Sequence, residues 1–361
     1  MNRFLPLLLA LAVLAGCDTA DPLDDTPATG TLVLVGNQGN FTDQTGSITV
    51  YDADSMDVTQ DAFGITDALV QQVVVDPEDD GRGYVLLNFN DSFSTGRGRL
   101  VVADLDAGTR TAEVDVRTPR GAARTGNTLW VTNLYDSTVT PVDLTTNAAG
   151  TPVAVGANPE GAVAAGGKVW VANNGFGEST TVSVIDPASR GVEETLDVGC
   201  DGPRAMGVDA EGEVWVFCTG KTVYDPVTFE VIERTNGAVV VLDADTAEEV
   251  ARIPLDDQIG AASLGQDAFV SPEAGTAWAV RADGALLAFD TGSNALDATV
   301  TPELPDGHLV GAVATDAEGR VYVGAVAPDF VSAGQLVVLD RDGRRVSSAP
   351  AGIIPAAITV R

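Results

Sequence analysis

Histidine, lysine and cysteine are nearly missing from this chain: one histidine, two lysines and three cysteines occur in 361 residues. With His308 alone, copper and haem sites built from several histidines are excluded, and so are His-based triads as a family of mechanism. No nucleophile paired with a base stands out among the acids, and no Gly-Lys-Ser/Thr phosphate cradle occurs. Positive charge is scarce as well, 20 Lys and Arg against 52 Asp and Glu for a formal charge of −32. Such a surface repels phosphates instead of displacing their counterions, which argues against nucleic acid and against peripheral binding to anionic lipid. The excess of Asp over Lys would suit a high-salt habitat. Long apolar runs are limited to Phe4 to Val13, too short for a stable membrane span.

That run follows Arg3 and precedes Leu14-Ala15-Gly16-Cys17, the layout of a secretion signal over residues 1–16. The Asp, Pro and Thr-rich stretch after it has nothing to bury, which predicts a disordered tether over residues 17–30, reaching roughly 40 Å when extended.

From residue 31 a repeat takes over, and it predicts a single all-β domain over residues 31–361. An aliphatic-aromatic-aliphatic strand recurs at Leu32 to Asn37, Tyr84 to Asn88, Leu129 to Asn133, Val169 to Asn173, Val214 to Cys218, Ala277 to Val280 and Val321 to Gly324. A second strand follows each, closing at Asp52, Asp104, Asp143, Asp186, Asp243, Asp290 and Asp340 after period-2 apolar runs. The period of about 40 to 60 residues, with β-branched strands and Gly/Asp/Pro turns, belongs to propeller blades and not to helical repeats. Short small-residue strands precede six of the pairs, as at Gly161 to Ala165. The seventh is found at the other end of the chain, Ala356 to Val360. The predicted fold is a seven-bladed β-propeller of four-stranded antiparallel blades, its ring closed by the C-terminal strand joining the N-terminal blade.

Strand order then sorts the loops. Turns between inner and second strands, and between third and outer strands, share one face and read as short acidic hairpin turns; Asp76 to Asp80 is the stretch there dense enough in oxygens to tempt a calcium assignment. Loops between second and third strands share the opposite face, are longer than a hairpin requires, and carry Phe41, Phe89, Phe93, Tyr135, Phe176, Tyr224, Phe229 and Phe330. Loop aromatics have no core to fill, so their clustering predicts a binding rim for a large, partly apolar ligand; the alternative is that they plug the channel mouth or pack on neighbouring loops. Arg120, Glu160 and Arg204, each beside a proline at the start of an inner strand, stand at the same mouth. They either pair with one another or offer planar donors to a ligand. His308 faces this side too, and Asn37, Asn88, Asn133 and Asn173, which close second strands there, complete the candidate ligand-binding set. Cys200 and Cys218 emerge on one face of one blade. In an oxidising compartment they are expected to form a disulfide closing about 18 residues, worth roughly 3 kcal/mol; two buried thiols are the alternative. No cofactor or metal is expected.

Leu-Ala-Gly-Cys resembles a bacterial lipobox, which implies lipidation at Cys17 and membrane attachment through the lipid alone. Val169 to Asn173 followed by Val182 to Asp186 resembles the repeats of YVTN-type, YncE-like seven-bladed propellers, and Leu129 to Asn133 with Asp143 is nearly as similar. The likeness runs from Thr31 onward and is weakest around Ala277 to Asp290, where Arg281 stands in the Asn place. One branch of lipid-anchored propellers of this look sits on the surface of bacteria with TonB-dependent importers and captures cobalamin. The residues themselves point to a binder and not an enzyme, and a monomer is expected; the resemblance implies a surface-exposed outer-membrane lipoprotein that captures a ligand, with a corrinoid as first candidate, for a TonB-dependent transporter. The alternatives are a protein-docking scaffold of the envelope and a metal-dependent propeller lactonase or lyase.

Overall fold

The structure, a computed structural model, describes residues 30–262 and 265–361. The predicted signal peptide, the lipidation site Cys17 and all but the last residue of the tether lie outside the described residues.

Seven four-stranded antiparallel sheets stand around a common axis. Blade 1 takes its inner strand from Pro355–Val360 and its other three from Leu32–Asn37, Ser47–Asp52 and Val58–Thr59. The inner strands of blades 2 to 7 are Leu69–Asp76, Pro119–Thr125, Pro159–Ala165, Pro203–Val208, Ala268–Ser271 and Leu309–Thr315. Val33 opposite Val360 and Val35 opposite Ile358 close the ring between the chain ends, as the displaced seventh small-residue strand implies. Two details depart from a uniform four-strand scheme. The outer edge of blade 3 is broken into Ala148–Ala149 and Val153–Ala154, and the long loop of blade 5 forms its own hairpin, Thr222–Tyr224 against Val231–Arg234. Among the described residues no helix is long and apolar enough to cross a membrane.

The sequence pattern explains why each strand lies at its depth. Second strands such as Lys168–Asn173 are apolar on both faces because both are covered by neighbouring blades, whereas the outer strand Gly191–Asp197 is mostly exposed. Trp130, Trp170, Trp215, Tyr84 and Tyr322 are buried at 1 % exposure or less, each contributing on the order of 2–3 kcal/mol of apolar burial. Between blades 5 and 6, Trp215, Phe217 and Phe289 pack with ring centroids 6.1–6.2 Å apart. Inner strands need small residues because they crowd at the axis.

Most aromatic second strands are also tied at one end by a repeated contact. The hydroxyl of Tyr84 donates to Asp76 at 2.5 Å, that of Tyr322 to Asp316 at 2.7 Å, and the Trp215 indole to Asp209 at 2.7 Å. Trp130 and Trp170 donate to Thr125 Oγ1 and the Ala165 carbonyl at the same place. Asp76, weighed above as part of a calcium loop, is instead fully buried against Arg124, Arg82 and Tyr84, so its oxygens are already engaged by donors.

Candidate ligand-binding cup

Six inner strands carry a β-bulge just where they enter the mouth of the ring: pairing skips Gly311 in blade 7 and Ala356 in blade 1, and it skips longer side chains at Gln71 in blade 2, Arg120-Gly121 in blade 3, Glu160-Gly161 in blade 4 and Arg204 in blade 5. A bulge re-aims the extra side chain, and here it turns four long polar groups toward the axis. Close blade approach puts them within reach of one another. A Cβ on Gly121 would lie 2.5 Å from the Glu160 carbonyl oxygen, and one on Gly161 2.5 Å from that of Arg204, so only glycine lets these strands come so near.

The result is a chain of alternating charge across the mouth. Arg120 Nε donates to Glu160 Oε2 at 2.8 Å and its Nη1 donates to Gln71; Arg204 Nη1 donates to Asp267 Oδ2 at 2.8 Å and Nη2 to the Gly265 carbonyl at 3.1 Å. All four charged side chains are nearly buried, at 9 %, 13 %, 12 % and 1 % exposure. Burial pushes the Asp267 carboxyl up, with Arg204 only partly offsetting it. For Arg204 burial opposes the charge, but Asp267 and Glu160 outweigh it and hold the guanidinium above its usual value.

A strap crosses the remaining side of the mouth. The Ala262 amide donates to the Val310 carbonyl and the Gln266 amide to that of Ala356, each at 2.7 Å, while Gln266 Oε1 accepts from the Ile358 amide at 3.1 Å. Gly265 rides directly over blades 7 and 1, where a Cβ would lie 2.3 Å from the Ala356 oxygen and 2.8 Å from that of Gly311. Blades 2 to 6 thus supply a polar floor, and Ala262, Gly265 and Gln266, from the connection between blades 5 and 6, lie against the inner strands of blades 7 and 1.

Above this floor opens a cup of about 440 Å³ whose walls include Phe41, Phe89, Phe93, Tyr135 and Phe176 from the long loops of blades 1 to 4. Phe41, Phe93, Tyr135 and Phe176 are 58 %, 67 %, 48 % and 64 % exposed, so they line the cup without filling it. Phe89 is half-buried beneath Arg97 and Arg99, whose guanidinium carbons stand 4.5 and 5.5 Å from its ring centre. Asn88, Asn174, Gln38, Lys221 and Thr222 add polar edges. The floor residues Gln71, Arg120, Glu160 and Arg204 also line an axial cavity of about 260 Å³ below.

The structure sorts the sequence-predicted residues. It brings Phe41, Asn88, Phe89, Phe93, Arg120, Tyr135, Glu160, Phe176 and Arg204 together around the cup. Asn37, Asn133 and Asn173 are placed differently: each is fully buried, with its amide donating to hydroxyls of the third strand, Ser47 and Thr49, Thr138 and Thr140, Thr181 and Ser183. They pin their hairpins from within and present nothing to the mouth. Tyr224 rides on the blade 5 hairpin, and neither it nor Phe330 nor His308 lines the cup. Cys200 and Cys218 form a disulfide, and the residues after Cys218, Thr219 to Thr222, form one wall of the cup. Gln71, Asn174 and Asp267 were missed. Gln71 has no flanking proline or glycine to mark its bulge, whereas Asp267, just before the inner strand of blade 6, could have been found by aligning it with Pro203-Arg204-Ala205.

No protein-family model matches the chain, and no curated protein matches it by sequence. Solved structures similar to it include Kuenenia stuttgartiensis hydrazine synthase, with TM-score 0.60 and 16 % identity over 84 % of this chain and 91 % of that one. Apo AztD from Citrobacter koseri is similar with TM-score 0.55 and 12 % identity over 92 % of this chain and 98 % of the other. At such identities the likeness concerns the fold.

Proposed function

We propose that this propeller is a non-enzymatic capture protein of the cell envelope, with the aromatic cup as its binding site. The observation that carries the reading is the convergence of exposed Phe41, Phe93, Tyr135 and Phe176 from four successive blades on one concavity over a polar floor. Exposed rings opening on a concave surface suit a large, partly apolar ligand, and a macrocycle bigger than the cup would be covered on one face. A corrinoid is the first candidate, handed on to a TonB-dependent transporter. A lipid on Cys17, placing a monomer on the outer-membrane surface, fits this role. Gly30 supports that orientation: a Cβ there would lie 2.9 Å from Asp54 and 3.6 Å from Asp52, which puts the start of the domain at the acidic turns, opposite the cup.

Titration of the purified protein with cyanocobalamin tests the reading. Binding tighter than about 1 mM that weakens by about ten-fold or more in Phe93→Ala is expected, since one lost aromatic contact is worth on the order of 1.5 kcal/mol. Absence of binding at that concentration removes the corrinoid.

A second reading, a protein-docking scaffold, is favoured by the blade 5 hairpin, where Tyr224, Val227, Phe229 and Ile232 are 56 %, 83 %, 77 % and 63 % exposed. Pull-down of the transporter that survives Phe93→Ala and Phe176→Ala but is lost with Phe229→Asp would favour it. For the lactonase or lyase alternative, no group of three or more His, Cys, Asp or Glu among the described residues is placed to hold a metal.

A further inference from the structure

We infer that Phe176 is held in place as an affinity-determining residue of the cup, and that it selects ligands with a flat ring face. The inference rests on the reading of the cup as the binding site. Gly175, Phe176 and Gly177 have φ of +57°, +56° and +89°, three left-handed residues in a row with a phenylalanine in the middle. Glycine or asparagine takes this backbone readily, whereas a bulky L-residue is strained there. The Phe176 ring recovers little through burial, being 64 % exposed. Stability alone therefore gives no reason for a phenylalanine at this position.

The loop is nonetheless braced so that the ring stays where it is. The Gly175 amide donates to the Ala157 carbonyl at 2.9 Å, the Asn174 amide to that of Asn158 at 3.1 Å, and Asn174 Oδ1 accepts from the Gly177 amide at 3.0 Å. A Cβ on Gly202 would stand 3.1 Å from the Gly177 Cα, so the next blade backs the loop from the other side. Strain held by surrounding structure at a concave site is the pattern expected where local conformation serves binding. The held ring has a partner: the Tyr135 centroid lies 6.2 Å away with the two planes at 42°. Both rings line the cup and remain 48 % and 64 % exposed, and at this spacing and tilt a planar conjugated ligand can lie flat against one while its edge meets the other.

The chain carries its own controls. Phe229 and Phe330 also sit on left-handed backbone, at φ +58° and +57°, but neither lines the cup. Backbone sign alone therefore singles out nothing; its coincidence with the cup and with Tyr135 does.

The test uses Nile red, a neutral planar dye, titrated into the purified protein by fluorescence, with thermal unfolding measured on the same samples. Phe176→Asn is expected to weaken the dye by about ten-fold, while Phe229→Asn and Phe330→Asn leave it within about two-fold. All three should melt at or above the wild-type temperature, since asparagine tolerates the left-handed backbone. If Phe176→Asn binds like wild type while Phe93→Ala does not, the inference about Phe176 falls and the cup remains the site. If Phe176→Asn melts lower than wild type, the ring supports the fold and the inference likewise falls. If the wild-type protein binds no dye, or the Phe93→Ala and Phe176→Asn proteins both bind it unchanged, the cup itself is not the site.

Discussion

At the level of single residues, the ties between inner and second strands explain much of how a blade is held. At the register place of Asp209 and Asp316, blade 6 has Ser271, opposite Thr276 and two residues before reaching Trp278 across the hairpin. Trp278 Nε1 and Thr276 Oγ1 are buried without a hydrogen-bond partner among the described residues. Ser271→Asp should give the indole the acceptor that Trp215 has, raising stability by about 1 kcal/mol in urea unfolding; no gain would show that blade 6 is satisfied in another way. Conversely, Tyr322→Phe removes the hydroxyl that Asp316 accepts and should cost about 1 kcal/mol by the same measurement. The aromatic strand positions were legible in the sequence as alternation, but these ties were not, because an Asp before a turn reads first as turn chemistry. The same ambiguity misplaced Asn37, Asn133 and Asn173. Their position at the mouth was readable, but the third-strand hydroxyls that draw their amides inward become neighbours only through the pairing register.

Among the elements, the bulges at the entry of the inner strands build the polar floor of the cup. The Pro-Arg-Gly, Pro-Glu-Gly and Pro-Arg-Ala sequences marked where the bulges fall; Arg120 pairs with Glu160, as one of the two alternatives had it, whereas Arg204 turns to Asp267, a partner the sequence did not suggest. Which alternative prevails depends on how near adjacent blades approach, and that distance is written in Gly121 and Gly161 more than in the charges themselves. The disulfide acts at this scale too. Cys218 ends the second strand of blade 5, and the cup wall from Thr219 to Thr222 follows directly. Replacing both cysteines by serine should lower stability by roughly 3 kcal/mol in the loop-entropy picture. The blade 5 wall should then show faster amide exchange than the corresponding wall of blade 2; equal rates would mean that the hairpin and Gln258, which donates to the Lys221 and Thr235 carbonyls, hold it unaided.

For the molecule as a whole, ring closure and charge dominate. The number of blades and the C-terminal closure are legible in the repeat, because each copy occupies the same depth and so repeats the same burial pattern. The cup was readable only as a face, since which loops lean inward depends on contacts between blades. Charge enters through the acidic turns. Asp52, Asp143, Asp186 and Asp243 there, and Asp225 on the blade 5 hairpin, are held below the ordinary carboxylate value, chiefly by backbone amides of their own turns, and the hydroxyl and amide of Ser332 bring Asp329, in the loop between the second and third strands of blade 7, to about 2. Groups lowered on folding contribute stability that is complete above their unfolded value near 3.9 and lost as pH falls through the folded one. Acid unfolding is therefore expected between about pH 4 and pH 2, with buried Asp267, raised on folding, acting in the opposite sense. At neutral pH, added salt should raise the unfolding temperature by screening a net charge of −32. The central claim is that ligand enters at the aromatic mouth, and a structure determined with cyanocobalamin bound tests it most directly. The account predicts the ligand seated against Phe41, Phe93, Tyr135 and Phe176 above Arg120 and Glu160; a ligand seated among the acidic turns of the opposite face would contradict it.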